Sequence, residues 1–488
     1  MNLSQVEENL LVLLDPTGST EREHWLFVGR DALPNEKAIP GEKNTHFENL
    51  VYCFTRRDLP HYFLYSLACC FGWRKGKTQK ILFMHDGLLS CFFTTDKTAC
   101  YRAYARKHLP AGNGFRSRIA KLLPLSWRAA MRFIVIWNKP FLEIPKHCRT
   151  LAGCNFMFYS NADGKLILTQ GETFLTGYGQ IVKTSATTEY AQSLENEYRI
   201  LGEISKNLAK KDIVPQVWEK VTLRGKCFFA ERYLCGENLR EVLRALGRKK
   251  SSHAAESLLD RLDIWFRAYR TSFSGSERPL PSFIEPVLQS FATCHGHHPE
   301  AFPLALRARE ISKLIGKDHR GLVPMIAHND LWPGNFVVSN DHLTAIDWER
   351  ATDQSAPIFD YYWMVISAVL EYRTGVNGEQ DYSMSFRQFL DTCDDVCLHA
   401  HKMLGDFLAE LGFERGQHLQ FIMFFLLELS VQGYRTLGRM TDMDRLVFAE
   451  LVAYAERLDD MPDGRFSRMK PEFIPDAVVS ANVALLVP

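Results

Sequence analysis

Three oxygen-bearing side chains, Asp330, Asn335 and Asp347, follow one another in the sequence at a spacing that suits a single site. Asp330 and Asn335 belong to one loop, in which Pro333-Gly334 lets the backbone curl so that both side chains can face the same side. Asn335 begins an apolar segment, and a turn near residues 339–341 returns the chain to deliver Asp347 beside Asn335. Two carboxylates and an amide oxygen are therefore predicted to converge.

These residue types fit the chemistry of phosphoryl transfer. That reaction needs little covalent help from a protein, but it needs an acceptor hydroxyl held in line and divalent metal to neutralise the phosphate oxygens. Asp330 is placed as the base that orients the acceptor hydroxyl. Asn335 and Asp347 offer the hard oxygen ligands that Mg²⁺ prefers in nucleotide sites, where water and phosphate complete its coordination.

The same segments resemble the aminoglycoside phosphotransferase and choline kinase superfamily. Its catalytic loop reads H-x-D-x-x-x-x-N, and its metal aspartate stands in an I-D-W/F-E/D context. Here the two motifs are His328 to Asn335 and Ile346 to Glu349, at the expected separation. The resemblance implies a protein-kinase-like fold with ATP and Mg²⁺ as cofactors.

The resemblance also implies a role for each matched residue. Asp330 would be the catalytic base, and Asn335 and Asp347 would be the metal ligands. His328 would be a structural residue of the catalytic loop, and Asp360 would brace that loop by hydrogen bonds. Taken alone, Asp360 could equally cap a helix.

A kinase-like nucleotide site also needs a strand lysine for the phosphates and a glutamate on the following helix to hold it. Lys183 lies in a strand-like segment, and Glu197 follows on the inward face of an amphipathic helix predicted over residues 189–208. A lone carboxylate on that face would be costly to bury, so Lys183 is the expected partner. The alternatives are a solvated Lys183 with Glu197 near Arg199, or Glu195 as the helix carboxylate.

Two further parts of a nucleotide site follow from the resemblance. The segment from Phe228 to Leu239 looks like the family's strand-to-hinge segment, in which Glu231 and Tyr233 would flank adenine, with contacts made by the backbone. The phosphate-covering loop should lie between the first two strands, yet residues 160–164 contain one glycine, while Gly177-Tyr-Gly179 precedes the lysine strand. This loop is left unassigned, so a catalytically silent nucleotide-binding scaffold stays open as an alternative to an active kinase.

The chain is predicted to have three parts. Residues 151–235 contain short strand-like runs around one helix, and residues 236–488 are mostly helical apart from a strand pair near the metal aspartate. With the resemblance, these patterns predict an α+β, protein-kinase-like bilobal fold with a small antiparallel-sheet lobe and a larger helical lobe. Residues 1–150 contain apolar runs typical of buried strands and predict an additional N-terminal α/β region of unknown role.

The composition disfavours several classes of protein. The chain has 58 basic and 57 acidic residues and a formal charge of +1, so no global field recruits nucleic acid or an anionic membrane. Neither a secretory signal nor a membrane-spanning run is predicted. Twelve cysteines without a dense framework favour a reducing cytoplasm. A basic stretch over residues 116–132 fits an ordinary solvated helix face, with docking to a membrane surface or a protein partner as the alternative.

The predicted function is an ATP-dependent transfer of the γ-phosphate to a hydroxyl of a small molecule such as a sugar, an amino alcohol or an aminoglycoside-like compound. The acceptor and the oligomeric state are not predicted. One acidic cluster of the helical part could face a cationic amine or be a solvated helix face: Asp391, Asp394 and Asp395. One aromatic cluster could stack on the acceptor or belong to the core: Tyr361, Tyr362 and Trp363.

Overall fold

The computed structural model divides the chain into two compact units, residues 1–202 with 215–235 and residues 203–214 with 236–488. It describes the backbone of seven strands between Trp25 and Thr169. Beyond them it describes residues 179–185, 188–207, 213–223, 226–317, 321–339, 342–378, 382–438 and 440–460. The basic stretch over residues 116–132 lies outside the described residues.

The described part of the first unit is built on one sheet. Its strands are β1 Trp25–Val28, β2 Asn49–Thr55, β3 Gln79–Asp86, β4 Leu89–Thr94, β5 Phe133–Trp137, β6 Phe156–Ser160, β7 Lys165–Thr169, β8 Gln180–Ser185, β9 Val217–Leu223 and β10 Lys226–Arg232. The strand order is β1-β2-β5-β3-β4-β6-β7-β8-β10-β9. The pair β1 and β2 is parallel, and the other neighbouring strands are antiparallel.

Four strands predicted after residue 150 are confirmed as β6, β7, β8 and β10, and the predicted helix is α1, Thr188–Asn207. Leu194 and Leu201 of α1 are fully buried, as their helical spacing predicts. The sequence does not predict β9, because charged Glu219 and Lys220 interrupt its apolar pattern. These two side chains are exposed at the edge of the sheet, where polar residues are common.

The described part of the second unit is mostly helical. Its helices are α2 Leu239–Arg248, α3 Ser252–Arg270, α4 Leu280–His295, α5 Ala301–Gly316, α6 Pro357–Asn377, α7 Tyr382–Leu390, α8 Asp395–Glu410, α9 His418–Leu437 and α10 Asp442–Asp460. The helix α6 is apolar around most of its circumference and is buried accordingly. Aromatic rings fill the core beside it, as where Tyr361 stacks on Phe407 with ring centroids 3.8 Å apart.

Short strands of the second unit position the segments of interest. They are β11 Glu237–Asn238, β12 Met325–Ala327, β13 Phe336–Val338, β14 Leu343–Ala345 and β15 Thr352–Ser355. They form one sheet in the order β11-β13-β14 and a second sheet of β12 and β15. The predicted strand pair is confirmed as β13 and β14, with Phe336 opposite Ala345.

The described residues therefore form an α+β structure that is mostly helical with largely antiparallel sheets, which confirms the predicted α+β class. Among these residues, no helix is both long and apolar enough to cross a membrane.

Candidate functional site

The loop between β12 and β13 closes on itself through Asn335. Residues 333–335 make one turn of 3-10 helix, and the Asn335 N–H donates to Trp332 O at 2.9 Å. The side-chain Nδ2 of Asn335 donates to Asp330 O at 2.8 Å. Because the amide nitrogen is engaged in this way, Oδ1 is the side-chain atom that Asn335 can offer to a cation. Position 334 is glycine because a Cβ there would collide with the Trp332 ring.

The hairpin of β13 and β14 brings Asp347 next to Asn335. The N–H of Ile346, the residue that precedes Asp347, donates to Asn335 O at 2.8 Å. Asp347 has a φ of 72°, in the left-handed region that aspartate, asparagine and glycine tolerate best. An amide oxygen and a carboxylate at one end of a hairpin are a donor set that fits Mg²⁺.

His328 ties the loop that contains Asp330 to the chain segment that leads to Asp347. Its ring is fully buried, and Nε2 donates to Ile346 O at 2.9 Å. The ring centroid lies 4.5 Å from that of Trp348. Burial lowers the pKa of His328 to about 4, so the ring is neutral near pH 7 and carries its proton on Nε2.

Asp360, in the first turn of α6, binds the backbone of the same loop. Its carboxylate accepts from the N–H of His328 at 2.5 Å and from the N–H of Asn329 at 2.9 Å. Ala356 is the residue at the cap position of α6, so the Asp360 side chain bonds the loop and does not cap its own helix. Burial raises the pKa of Asp360 to about 7, against the lowering effect of the two loop N–H groups.

Arg350 is a neighbour of Asp330 that the sequence does not predict. Its Nη1 lies 3.7 Å from Asp330 Oδ2, and both side chains are partly exposed. Asn329, with a left-handed φ of 59°, donates from Nδ2 to Arg350 O at 2.9 Å. Arg350, in the turn after Asp347, thus contacts two residues of the loop, Asn329 and Asp330.

In the first unit, Lys183 and Glu197 form a buried ion pair. The Nζ of Lys183 lies 2.5 Å from Glu197 Oε1, and both side chains are almost inaccessible to solvent. Glu195 instead contacts Lys220 at 3.3 Å on the exposed side of the helix. Arg199 donates to Asn196 at 3.1 Å. The pairing of Lys183 with Glu197 is therefore present, and neither alternative is realised.

Glu231 is a second carboxylate on Lys183. Its Oε1 lies 3.0 Å from Lys183 Nζ, and its Oε2 has no hydrogen-bond partner among the described residues. Burial raises the pKa of Glu231 to about 7; the charge of Lys183 opposes this rise, and the charge of Glu197 adds to it. The sequence predicts only backbone contacts at this position. The sequence does contain a signal for the burial of Glu231. Side chains alternate between the two faces of a strand, and in β10 Glu231 lies on the same face as the buried Phe229.

Tyr233 follows β10, where the hinge segment is predicted. Its side chain is half-buried, and its N–H donates to Gly179 O at 3.0 Å. Gly179 has a φ of 143°, which favours glycine. The candidate phosphate-covering loops, residues 161–164 and 177–178, lie outside the described residues. The adenine-flanking role of Glu231 and Tyr233 stays a prediction.

The two clusters considered for the acceptor differ in their environment. Tyr361 and Tyr362 are fully buried, whereas Trp363 is half-buried. In the acidic cluster, Asp394 contacts Arg373 at 2.5 Å and accepts from the N–H of Cys397 at the start of α8. Asp391 contacts Arg457, also at 2.5 Å. Two of the three carboxylates are thus engaged in ion pairs.

A protein-family model matches the segment that contains Lys183, Asp330 and Asp360. Residues 168–382 match the phosphotransferase enzyme family, APH. This match confirms, for the segment it covers, the resemblance recognised in the sequence. No curated protein matches the chain at a significant level.

Solved structures of aminoglycoside phosphotransferases are similar at low identity. The GDP and kanamycin complex of APH(2")-IIia is 16% identical, with 62% of this chain and 90% of that chain covered and a TM-score of 0.33. The streptomycin-ATP-APH(2")-IIa ternary complex is 14% identical, with 64% and 97% covered and a TM-score of 0.37. APH(3'')-Id from Streptomyces rimosus is 14% identical, with 49% and 89% covered and a TM-score of 0.29. The family assignment rests on the matched segment.

Proposed function

We propose that the protein is an ATP-dependent kinase that transfers the γ-phosphate to a hydroxyl of a small molecule. The observation that carries the proposal is the bracing of the Asp330 loop by Asp360 together with the placement of Asn335 beside Asp347. A base-bearing loop and two oxygen ligands next to the ends of paired strands are the parts that phosphoryl transfer requires.

Each residue then has a defined task. Mg²⁺, held by Asn335 Oδ1 and the Asp347 carboxylate, would neutralise the phosphate oxygens. Asp330 orients the acceptor hydroxyl and accepts its proton. Asp360 and His328 keep the loop in place through the hydrogen bonds described above. These two residues position the site without touching the reacting atoms.

The nucleotide would be bound by the first unit. Lys183 would contact the α- and β-phosphates while Glu197 holds its ammonium group. The segment at Glu231 and Tyr233 would flank adenine. The buried ion pair at 2.5 Å supports this assignment, because a fixed ammonium group is a preorganised phosphate ligand.

The proposal includes the organisation of the chain. It has a protein-kinase-like two-lobed fold, with a small lobe at residues 151–235 and a helical catalytic lobe at residues 236–488. Residues 1–150 form an additional N-terminal α/β region of unknown role. The near-neutral charge supports an enzyme that acts on a small molecule without nucleic acid, and the twelve cysteines without a dense framework support a cytoplasmic location.

The test is a screen of Mg²⁺-dependent ATP consumption over sugars, amino alcohols and aminoglycosides. We expect turnover with at least one acceptor, and we expect Asp330→Ala to abolish it while nucleotide binding is retained. Nucleotide-dependent thermal stabilisation without turnover on any acceptor would favour the catalytically silent scaffold. Absence of both nucleotide binding and turnover would refute the kinase proposal.

A further inference from the structure

The helix α2 is packed tightly against α6. A Cβ at Gly247 of α2 would collide with Tyr372 O, and a Cβ at Gly375 of α6 would collide with Arg244 O. The two backbones therefore meet closely at both glycines. In the same contact, Arg244 Nε donates to the buried carboxylate of Glu371 at 2.5 Å. Such close packing resists relative movement of the two helices, which we call the α2/α6 frame.

The side chain of Asn238 joins the α2/α6 frame to the loop that contains Asp330. Asn238 is the N-cap residue of α2, and its Oδ1 accepts from the N–H of Arg240 at 3.0 Å. Because an N–H can only donate, this bond fixes which side-chain atom of Asn238 is the oxygen and leaves Nδ2 as the donor. Nδ2 donates to Gly334 O at 2.7 Å. One side chain thus caps the helix and holds the loop.

Two neighbouring contacts support the bond between Asn238 and the loop. On one side, the backbone of Asn238 lies opposite Val337 where β11 pairs with β13. On the other side, the guanidinium group of Arg240 lies over the ring of Trp332, 5.3 Å from its centroid, which is a cation–π distance. The start of α2 therefore contacts the chain before and after Gly334.

The loop that contains Asp330 is held at both ends by side chains of opposite hydrogen-bonding character. At its start, Asp360 of α6 accepts from two backbone N–H groups. At its end, Asn238 donates to Gly334 O, one residue before Asn335. Both bonds originate from the α2/α6 frame. The backbone at Asn335 is therefore fixed relative to the same two helices that hold the start of the loop.

We propose that Asn238 is a positioning residue for Asn335 Oδ1, the oxygen that Asn335 offers to Mg²⁺. This inference rests on the proposed kinase function. Asn335 Nδ2 is held by Asp330 O, so the place of Oδ1 depends on the backbone of Asn335 and of Gly334 before it. Mg²⁺ demands near-ideal octahedral geometry, so a small shift of one ligand weakens its binding. Asn238 acts through the backbone and not as a ligand.

Two variants of the full-length protein separate this role from helix capping. Asn238→Ser retains an oxygen that can cap α2, but its side chain is one bond shorter and does not also reach Gly334 O. Asn238→Ala removes both the cap and the bond to the loop. The matched control is Glu241→Gln, at an exposed position in the first turn of α2.

The main measurement is the binding of Mn²⁺, as a paramagnetic substitute for Mg²⁺, in the presence of a non-hydrolysable ATP analogue. Electron paramagnetic resonance follows the metal, urea denaturation follows stability, and ATP consumption follows turnover. We expect the Mn²⁺ dissociation constant to rise about fivefold in both Asn238 variants, the effect of one lost hydrogen bond. Stability should fall further in Asn238→Ala than in Asn238→Ser, because only the former loses the cap. Glu241→Gln should bind Mn²⁺ as the wild type does.

A purely structural role predicts a different pattern, in which the loss of Mn²⁺ affinity follows the loss of stability and is larger in Asn238→Ala. That pattern, or an unchanged Mn²⁺ affinity in both variants, would overturn the inference. Absence of Mn²⁺ binding by the wild type would overturn it together with the metal role of Asn335. Weakened Mn²⁺ binding in both variants of a protein without turnover would support the inference and refute only the active kinase, so the two failures are distinct.

Discussion

The N–H of His328 donates to the buried carboxylate of Asp360 at 2.5 Å, so the first turn of α6 holds the loop that contains Asp330. The same carboxylate accepts from the N–H of Asn329. These two hydrogen bonds hold the loop in addition to the bonds of its own internal turn. The stability of the loop therefore depends on a residue outside it.

Asp360→Asn should lower the free energy of unfolding by about 1–3 kcal/mol. Each carboxylate oxygen of Asp360 accepts from one N–H, whereas an amide has a single oxygen. One of the two N–H groups would therefore lose its acceptor. Urea denaturation measures the change, and Asp353→Asn, at an exposed position of β15, is the control. Equal stability of the two variants would contradict the bracing role.

Replacement of Lys183 should be more damaging than replacement of its partners. Lys183→Met leaves Glu197 and Glu231 buried without their shared cation, and such a loss costs about 3–5 kcal/mol. Adding Glu197→Gln and Glu231→Gln should recover most of the stability without restoring nucleotide binding. Thermal denaturation with and without ATP separates the two effects. Restored ATP binding in the triple variant would argue against phosphate contact by Lys183.

Glu231 should make the protein less stable as the pH rises. Its pKa in the folded protein is about 7, above the ordinary glutamate value of 4.5, so the folded state binds more protons between these values. Stability from this group is then present below about pH 4.5 and lost as the pH rises to about 7. Asp360, also with a pKa of about 7, contributes with the same sign.

Glu231→Gln should reduce this pH dependence, which chemical denaturation at intervals from pH 5 to 8 would measure. Glu219→Gln is the control, because Glu219 is an exposed carboxylate on the neighbouring strand β9. An unchanged slope in Glu231→Gln would show that Glu231 does not bind its proton in this range.

His328 should act in the opposite direction. Its pKa is lowered from 6.5 to about 4 in the folded protein, so the unfolded state binds more protons between these values and stability falls as the pH drops through them. His328→Gln retains a donor for Ile346 O but removes the titratable ring, so the acid-induced loss should shrink. His328→Ala should be less stable than His328→Gln at pH 7, because it also loses the bond and leaves a larger void.

The sequence predicts much of this arrangement and misses identifiable parts. The spacing of Asp330, Asn335 and Asp347 predicts their hairpin because short loops allow few paths for the chain. The pairing of Glu197 with Lys183 can be predicted, because a buried carboxylate needs a cationic partner. These inferences depend on local geometry and on simple electrostatics.

Glu231 and Arg350 are missed for different physical reasons. The contact of Glu231 with Lys183 depends on the register between β8 and β10, where Glu231 lies opposite Ile181, and register is set by the assembled sheet. The contact of Arg350 with Asp330 depends on the conformation of the turn that follows Asp347. Long-range register and side-chain direction after a turn are not encoded in residue spacing.

Asp347→Asn should preserve the fold and abolish Mg²⁺-dependent turnover. Asparagine tolerates the left-handed φ of 72°, whereas Asp347→Ala should cost an additional ~1 kcal/mol or more in backbone strain. Denaturation curves and ATP consumption, measured on both variants, test the two effects. Retained turnover in Asp347→Asn would contradict the assigned metal role.

The left-handed backbone at Asp347 also bears on how such a protein could lose its activity during evolution. Aspartate codons become asparagine or glycine codons through a single base change, and both residues suit this conformation. Drift could therefore remove the proposed metal ligand while the product of the gene still folds. Among descendants of this chain, the residue at 347 is a better indicator of retained chemistry than preservation of the fold.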